Sequence, residues 1–245
     1  VLSEKKISKN TIFVIEVSSY QLDYSKIFSS KYAIILNISI DHIERHKNLE
    51  NYINAKFKLI NSQTKKCIAF VKKDDDLINK KIKFSNFNSK IIKVDTKKNY
   101  KIFNEIDNKY FLNETNKENL SFVFEVSKKL RLKSKLLIRT IQKFKGLKYR
   151  QQIILNKKNL TVINDSKSTS FASSLGILKS NSNIYWLIGG IHKKKDKFIL
   201  PKKYYKNIKA FIFGKDKNFF NKQLNGKITF ENFSNLQSAL KKILR

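Results

Sequence analysis

Seven short runs of β-branched and aromatic residues punctuate the chain, at 11–17, 32–38, 67–71, 91–94, 160–164, 184–188 and 208–213. Several are apolar almost throughout, the pattern of strands covered on both faces. Stretches with helical spacing lie between many of them. Leu120, Val123, Phe124 and Leu130 share one helical face, and Leu236, Ala239, Leu240 and Ile243 share another. Alternating strands and helices predict an α/β protein with parallel sheets. Gly146 follows an amphipathic stretch at 136–144 and is expected to end a helix at a domain hinge. Residues 48–61 carry a stripe of Leu49, Tyr52, Ile53, Phe57 and Ile60, and the position that completes it is Lys56. A lysine on an inner helix face is costly unless its stem snorkels, its ammonium pairs, or its chemistry is changed. Periodicity alone favours snorkelling.

Composition adjusts this picture modestly. A chain of 245 residues can bury a sizeable core in one or two domains. Its single cysteine, Cys67, excludes an intramolecular disulfide framework and suits a reducing compartment. No apolar run approaches the ~18–20 residues of a membrane span. The first residues have no signal-peptide shape, and the chain contains no Met, so a piece of a longer protein is expected. The net charge of +33 invites a nucleic-acid reading. However, 47 of the 52 cations are Lys, spread along the whole chain, and only five are Arg. Bidentate recognition of phosphate or guanine favours Arg. Lys, Asn, Ile and Phe are abundant together, as in proteins encoded by strongly AT-rich DNA, so the charge reads chiefly as background.

Four polar constellations follow apolar runs, where open α/β sheets place ligands. Glu16-Val17-Ser18-Ser19-Tyr20-Gln21 offers a carboxylate and two hydroxyls, suited to Mg²⁺ and substrate or to an ordinary helix N-cap. Asp41-His42-Ile43-Glu44-Arg45-His46 offers a metal ligand or acid/base group, or is a plain polar loop. Asn164-Asp165-Ser166-Lys167-Ser168-Thr169 sets amide, carboxylate, hydroxyls and ammonium before a helix, an anion site or a capped turn. Gly189-Gly190-Ile191-His192-Lys193 allows close backbone approach beside lysines. Dinucleotide, Walker-type, zinc and nucleophile-elbow signatures are all missing.

In order, these segments resemble the Mur ligases, and within them the branch that adds D-glutamate. Glu16 to Leu22 resembles the family's Glu-x-Ser-Ser-Phe/Tyr-Gln-Leu motif. Asn37 with Asp41 to Arg45 resembles Asn…Asp-His-Leu-Asp-Arg. Tyr52 to Lys56 resembles Tyr-x-x-Ala-Lys. Asn116 to Asn119 fits Asn-x-x-Asn. Gly146 to Arg150 resembles Gly-Leu-x-His-Arg. Asn164 to Thr169 is similar to Asn-Asp-Ser-Lys-Ala-Thr. Gly189-Gly190 with Lys193 resembles Gly-Gly-x-x-Lys. The departures are Tyr149 where His is usual, Ser170 for Asn, Lys194 for Gly, and Thr115 where His is common. They bear on adenine and substrate contacts, not on reaction class.

The resemblance implies a central ATPase-type parallel-sheet domain at 1–147, truncated at its start, and a Rossmann-like ligase domain at 148–245, truncated at its end. It implies that the phosphate-binding glycine loop precedes this chain, and hence that the chain alone is inactive. It implies ATP-dependent joining of D-glutamate to UDP-N-acetylmuramoyl-L-alanine through an acyl phosphate, in cytoplasmic peptidoglycan precursor synthesis, by a monomer without nucleic-acid or membrane partners. Glu16, His42 and Lys56 are the expected catalytic and metal-binding residues, with two Mg²⁺ ions and Lys56 carbamylated by CO₂. That reverses the snorkelling reading of Lys56. Asn116, Asn119, Arg150 and Asp165 are expected to bind ATP, and Ser18, Asn37, Lys167, Thr169 and Lys193 the substrates, with domain closure completing the site. The alternatives are another Mur-type ligase, of the tripeptide or folylpolyglutamate branch, and a basic nucleic-acid-binding module.

Overall fold

The computed structural model describes residues 7–39, 43–98, 101–111, 114–193 and 196–244. The chain forms two compact units, Val1–Lys98 with Ser121–Arg131, and Asn99–Leu120 with Leu132–Arg245.

The first unit is built on a parallel sheet of β1 (Tyr32–Ile35), β2 (Ile68–Lys72) and β3 (Lys90–Val94), in that order. The central strand explains the arrangement. Ala69, Phe70 and Val71 are fully buried, and alternate residues face opposite sides. Ala69 and Val71 join Leu22 of α1 (Ser19–Tyr24), Tyr52, Phe57 and Ile60 of α3 (Leu49–Asn61), and Ile78 of α4 (Asp76–Lys83). Phe70 and Val94 join Phe122 of α5 (Glu114–Lys129) on the other side. The short α2 (Ile43–His46) lies against α3.

Helix α3 forms where its stripe was read. Asn48 caps it, accepting the Asn51 N–H at 2.8 Å, and its buried residues are Tyr52, Ala55, Phe57, Leu59 and Ile60. Helix α5 buries Leu120 and Phe124 of its expected face but departs from it at Val123. Phe122 is buried and Val123 is 43% exposed, because Phe122 points at the sheet pocket formed by Phe70 and Val94. The expected strand at 11–17 is absent. That segment has no regular structure and no ladder partner, with Val14 95% exposed. Among the described residues no strand lies beside it, and an apolar run without a ladder partner leaves its backbone to water.

The second unit has a parallel sheet of β6 (Ile184–Gly189), β7 (Ile208–Phe213) and β8 (Thr229–Asn232), in that order. Ile208, Ala210 and Ile212 of the central strand pack with Phe171 and Leu178 of α7 (Phe171–Ser180) and Phe220 and Leu224 of α8 (Lys217–Leu224). Phe211 stacks on Phe233 instead. Helix α9 (Leu236–Ile243) lies against β6 and β7. Of its expected apolar face, Ala239 is buried, while Leu236 and Leu240 are largely exposed. Ahead of this sheet, α6 (Ser134–Lys143) leads through Gly146 into an antiparallel hairpin of β4 (Gln152–Lys157) and β5 (Leu160–Asn164). The hairpin adds one antiparallel pair to the expected parallel sheets: β5 pairs with its immediate predecessor across a tight turn, which parallel pairing does not allow.

Candidate active site

The sequence-predicted residues fall into two groups, one in each unit. In the second unit, hydrogen bonds stitch three separate segments together. Asp165 follows β5 and is half-buried. Its Oδ1 accepts the Gln151 backbone N–H at 2.9 Å, and its Oδ2 accepts the Ser168 hydroxyl. The Lys167 N–H donates to the Tyr149 carbonyl at 3.0 Å. Asn116, buried near the start of α5, donates through Nδ2 to the Tyr110 carbonyl at 2.7 Å and to Gln151 Oε1 at 3.3 Å. The segments holding Asn116, Arg150 and Asp165 therefore meet around Gln151. Asn119 lies half-buried one turn further along α5, and Arg150 is exposed.

Backbone geometry shapes this turn. Gly146 has φ +75, and a Cβ there would lie 2.6 Å from the Tyr110 ring. Tyr149 and Gln151 also take left-handed backbone, at φ 64 and 50. Such angles are uncommon outside glycine, and they cluster where function constrains the chain. Burial pushes the Tyr110 hydroxyl pKa up; Arg150 opposes that shift and Asp165 adds to it, so both charges act on the same ring.

The remaining residues of this group lie nearby in sequence. Lys167 and Thr169 are exposed on the loop entering α7. Lys193 is half-buried in the turn after β6, and its carbonyl accepts the Asp196 N–H at 3.2 Å. Asp196 Oδ2 in turn accepts the Phe171 N–H at 2.9 Å, which ties this turn to the first residue of α7. His192 is held by Asp216, whose Oδ2 accepts its backbone N–H at 2.9 Å and lies 2.8 Å from Nδ1. These contacts hold the Asp216 carboxyl below its ordinary range, the His192 backbone bond first among them. Gly189 has no room for a side chain, since a Cβ would lie 2.3 Å from the Phe213 carbonyl oxygen.

The first-unit group is looser. Glu16 is exposed on the irregular segment before α1, and Asn37 is exposed just after β1. Ser18 is the N-cap of α1: its hydroxyl accepts the Gln21 N–H at 3.2 Å while Gln21 Oε1 accepts the Ser18 N–H at 2.8 Å. This is the capping-box alternative for the serines, and it does not prevent the hydroxyl from meeting a substrate. Lys56 is half-buried on α3, with Nζ 5.2 Å from the centre of the Tyr52 ring. His42 lies outside the described residues, as does Asp41.

Three residues that carry much of this architecture are not among the expected site residues, although their motifs contain or adjoin them. Ser19 and His46 are both 5% exposed and bonded to each other at 3.0 Å. Gln151 links two motifs from beside Arg150. His46 closes its motif and Ser19 is the second serine of its own, so adjacency was the available signal. Their burial had no periodic signature.

Among the described residues, no group of three or more His, Cys, Asp or Glu side chains gathers to hold a metal ion. Glu16 presents a carboxylate to solvent, and Lys56 as an ammonium repels a cation. Glu16 is a suitable oxygen donor for Mg²⁺ as it stands, and Lys56 would become one only once its ammonium is exchanged for an anionic group.

The fold and these motif positions define a class. The Mur ligase middle domain matches residues 1–140, more than half the chain, and the chain belongs to the Mur ligase family. Its curated relatives narrow the likeness. It is 33% identical, over 95% of its length, to the UDP-N-acetylmuramoylalanine–D-glutamate ligase of Rickettsia prowazekii. It is 32% identical over 85% to the enzyme of that name from the Wolbachia of Brugia malayi. The chain spans about half the length of these relatives, 56% and 44% respectively. Among solved structures, MurF ligase of Thermotoga maritima in complex with ADP superposes with TM-score 0.67 at 14% identity, covering 93% of this chain and 58% of that one. UDP-N-acetylmuramate-alanine ligase MurC of the same organism superposes with TM-score 0.58 at 17% identity, covering 93% and 55%. These likenesses bear on the fold, a mixed α/β arrangement with parallel sheets. Among the described residues no helix is long and apolar enough to cross a membrane.

Proposed function

We propose that the protein carrying this chain joins D-glutamate to UDP-N-acetylmuramoyl-L-alanine, at the expense of ATP, in the cytoplasm. The observation that carries the proposal is the meeting of the Asn116, Arg150 and Asp165 segments around Gln151. The substrates are proposed by likeness to the relatives, which are UDP-N-acetylmuramoylalanine–D-glutamate ligases. The domains we assign are 1–147 and 148–245, acting as a monomer without nucleic-acid or membrane partners.

The chemistry has two steps. A carboxylate cannot acylate an amine directly, because oxide would have to leave. Its oxygen instead attacks the γ-phosphorus of ATP, the bond to ADP breaks, and an acyl phosphate forms. The amine of D-glutamate then attacks the acyl carbon. The C–N bond forms, the C–O bond to phosphate breaks, and the nitrogen loses its proton. The protein positions two anions and offsets their repulsion. Asn116 and Asn119 serve the adenine. Asp165 accepts from the ribose, and Arg150 faces the phosphates. Lys167, Thr169 and Lys193 gather the carboxylates of D-glutamate, while Ser18 and Asn37 face the muramoyl substrate.

Mg²⁺, when bound, supplies neutralisation of phosphate charge, and the proposal includes two such ions and the participation of Glu16 and His42. It also includes carbamylation of Lys56. The neutral amine attacks CO₂, an N–C bond forms and one proton leaves, so an ammonium is exchanged for an anionic oxygen donor. The test is phosphate release by the protein at its full encoded length. Release must require ATP, the muramoyl substrate and D-glutamate together, and an amino-acid panel decides the branch. Lys56→Ala should abolish ligation and recover it with a short carboxylate. Release that ignores D-glutamate but responds to another amino acid would move the protein to a different branch of the family.

A further inference from the structure

Helix α2 is a single turn, and one turn of helix does not hold itself together in water. Of its four residues only His46 is buried, at 5% exposure. The imidazole is fixed on three sides. Its Nε2 lies 3.0 Å from Ser19 Oγ of α1, itself buried. Its ring stacks on Tyr20 of α1, with centroids 5.6 Å apart and planes 9° from parallel. It meets Tyr52 of α3 at 5.5 Å and 51°. Tyr52 carries the Lys56 ammonium over its ring, one helical turn away. His46 thus joins three motif segments, those of Glu16 to Leu22, Asp41 to His46, and Tyr52 to Lys56. A ring held by two aromatic neighbours and a hydrogen bond at its edge is how a supporting residue fixes its neighbours' rotamers.

We propose that His46 is the positioning residue for Lys56, setting the Tyr52 ring against which the lysine lies. It also pegs α2, and so the segment that follows His42, to the first unit. The catalytic half of this inference rests on the ligase reading above. The positioning half does not.

The experiment reads position and activity separately. In isotopically labelled, reductively methylated protein, the Lys56 Nζ signal, assigned by its loss in Lys56→Arg, is shifted by the Tyr52 ring current. His46→Phe keeps the stacking and should largely retain that shift. His46→Gln keeps a hydrogen-bonding edge without the aromatic ring and should move the signal to that of an ordinary exposed lysine, with thermal unfolding still cooperative. Ser19→Ala removes only the hydrogen bond and gives an intermediate shift, and it provides the reading if His46→Gln does not fold. In the full-length protein, kcat for ligation should fall at least about tenfold in His46→Gln, with KM for ATP within about twofold. A Lys56 signal unmoved in both His46→Gln and Ser19→Ala overturns the proposal. Wild-type protein that shows the ring-shifted signal but no ligation refutes the ligase reading and leaves the positioning claim standing. A moved signal with unchanged kcat overturns the catalytic half.

Discussion

The two units hold their motif residues by different means. In the second, Asp165, Gln151 and Asn116 are linked by direct polar bonds of about 2.7 to 3.3 Å, along a turn with left-handed backbone. In the first, the corresponding work falls to aromatic packing around one buried imidazole, while Glu16 and Asn37 stand exposed. A polar network depends on every acceptor, since removing one strands its donors. A packed ring depends on shape, and tolerates substitutes of like volume. The second group should therefore respond sharply to loss of a polar atom, and the first to loss of an aromatic ring.

The largest effect is expected at Asp165. Asp165→Ala leaves the Gln151 N–H and the Ser168 hydroxyl without their acceptor, and ligation by the full-length protein should fall on the order of 10²-fold. An activity within threefold of wild type would break the contrast between the units. Next is Gly146→Ala, which strains a positive φ and drives a methyl into the Tyr110 ring. Urea unfolding should show a loss of roughly 2 kcal/mol. Pairing it with Tyr110→Ala, which opens space, should recover part of that loss. If the double variant is as unstable as the sum, the ring is not the obstacle.

Ser18→Ala removes one half of a capping box on an exposed turn, and should cost about 1 kcal/mol. Ser18→Asp, which can still cap, should cost less, and equal losses would point to a contact other than the cap. The smallest effect is acid sensitivity. The Asp216 carboxyl is held below its ordinary 3.8 by the His192 backbone and ring, and Asp95 below 3.8 by Lys73. A depressed carboxyl stabilises the folded state above its unfolded pKa, and that contribution is lost as pH falls through the folded one. Stability should thus decline modestly below about pH 4. Asp216→Asn should flatten the slope there, and an unchanged slope would remove Asp216 from the account.

Much of the fold was legible because buried parallel strands leave a plain mark. Strand β7 coincides with its expected run at both ends, and its central residues are buried as that run implies. The failures share a cause. The run at 11–17 is as apolar as β7, but a strand is a relation between two segments and only one of them was being read. Val123 and Phe122 are both apolar, and only the pocket at Phe70 decides between them. β4 was missed because Gln152 and Asn156 dilute it, although its partner β5 was found. The site was legible as motifs, and the capping use of Ser18 was one of the two readings left open. His46 was not, since a one-turn helix has no period from which an inward face could be read.

Gly189 and Gly146 have a consequence for how this sequence can change. Glycine codons begin with two guanines, so a coding sequence drifting toward A and T erodes them early. Six glycines survive in 245 residues. Four have positive φ, and at the other two a Cβ would come within 3 Å of a neighbouring atom. Each sits where the backbone angle or the space around its α-carbon disfavours a side chain. In a sequence this rich in Lys, Asn, Ile and Phe, the few glycines are the more informative residues, because each answers to a local constraint.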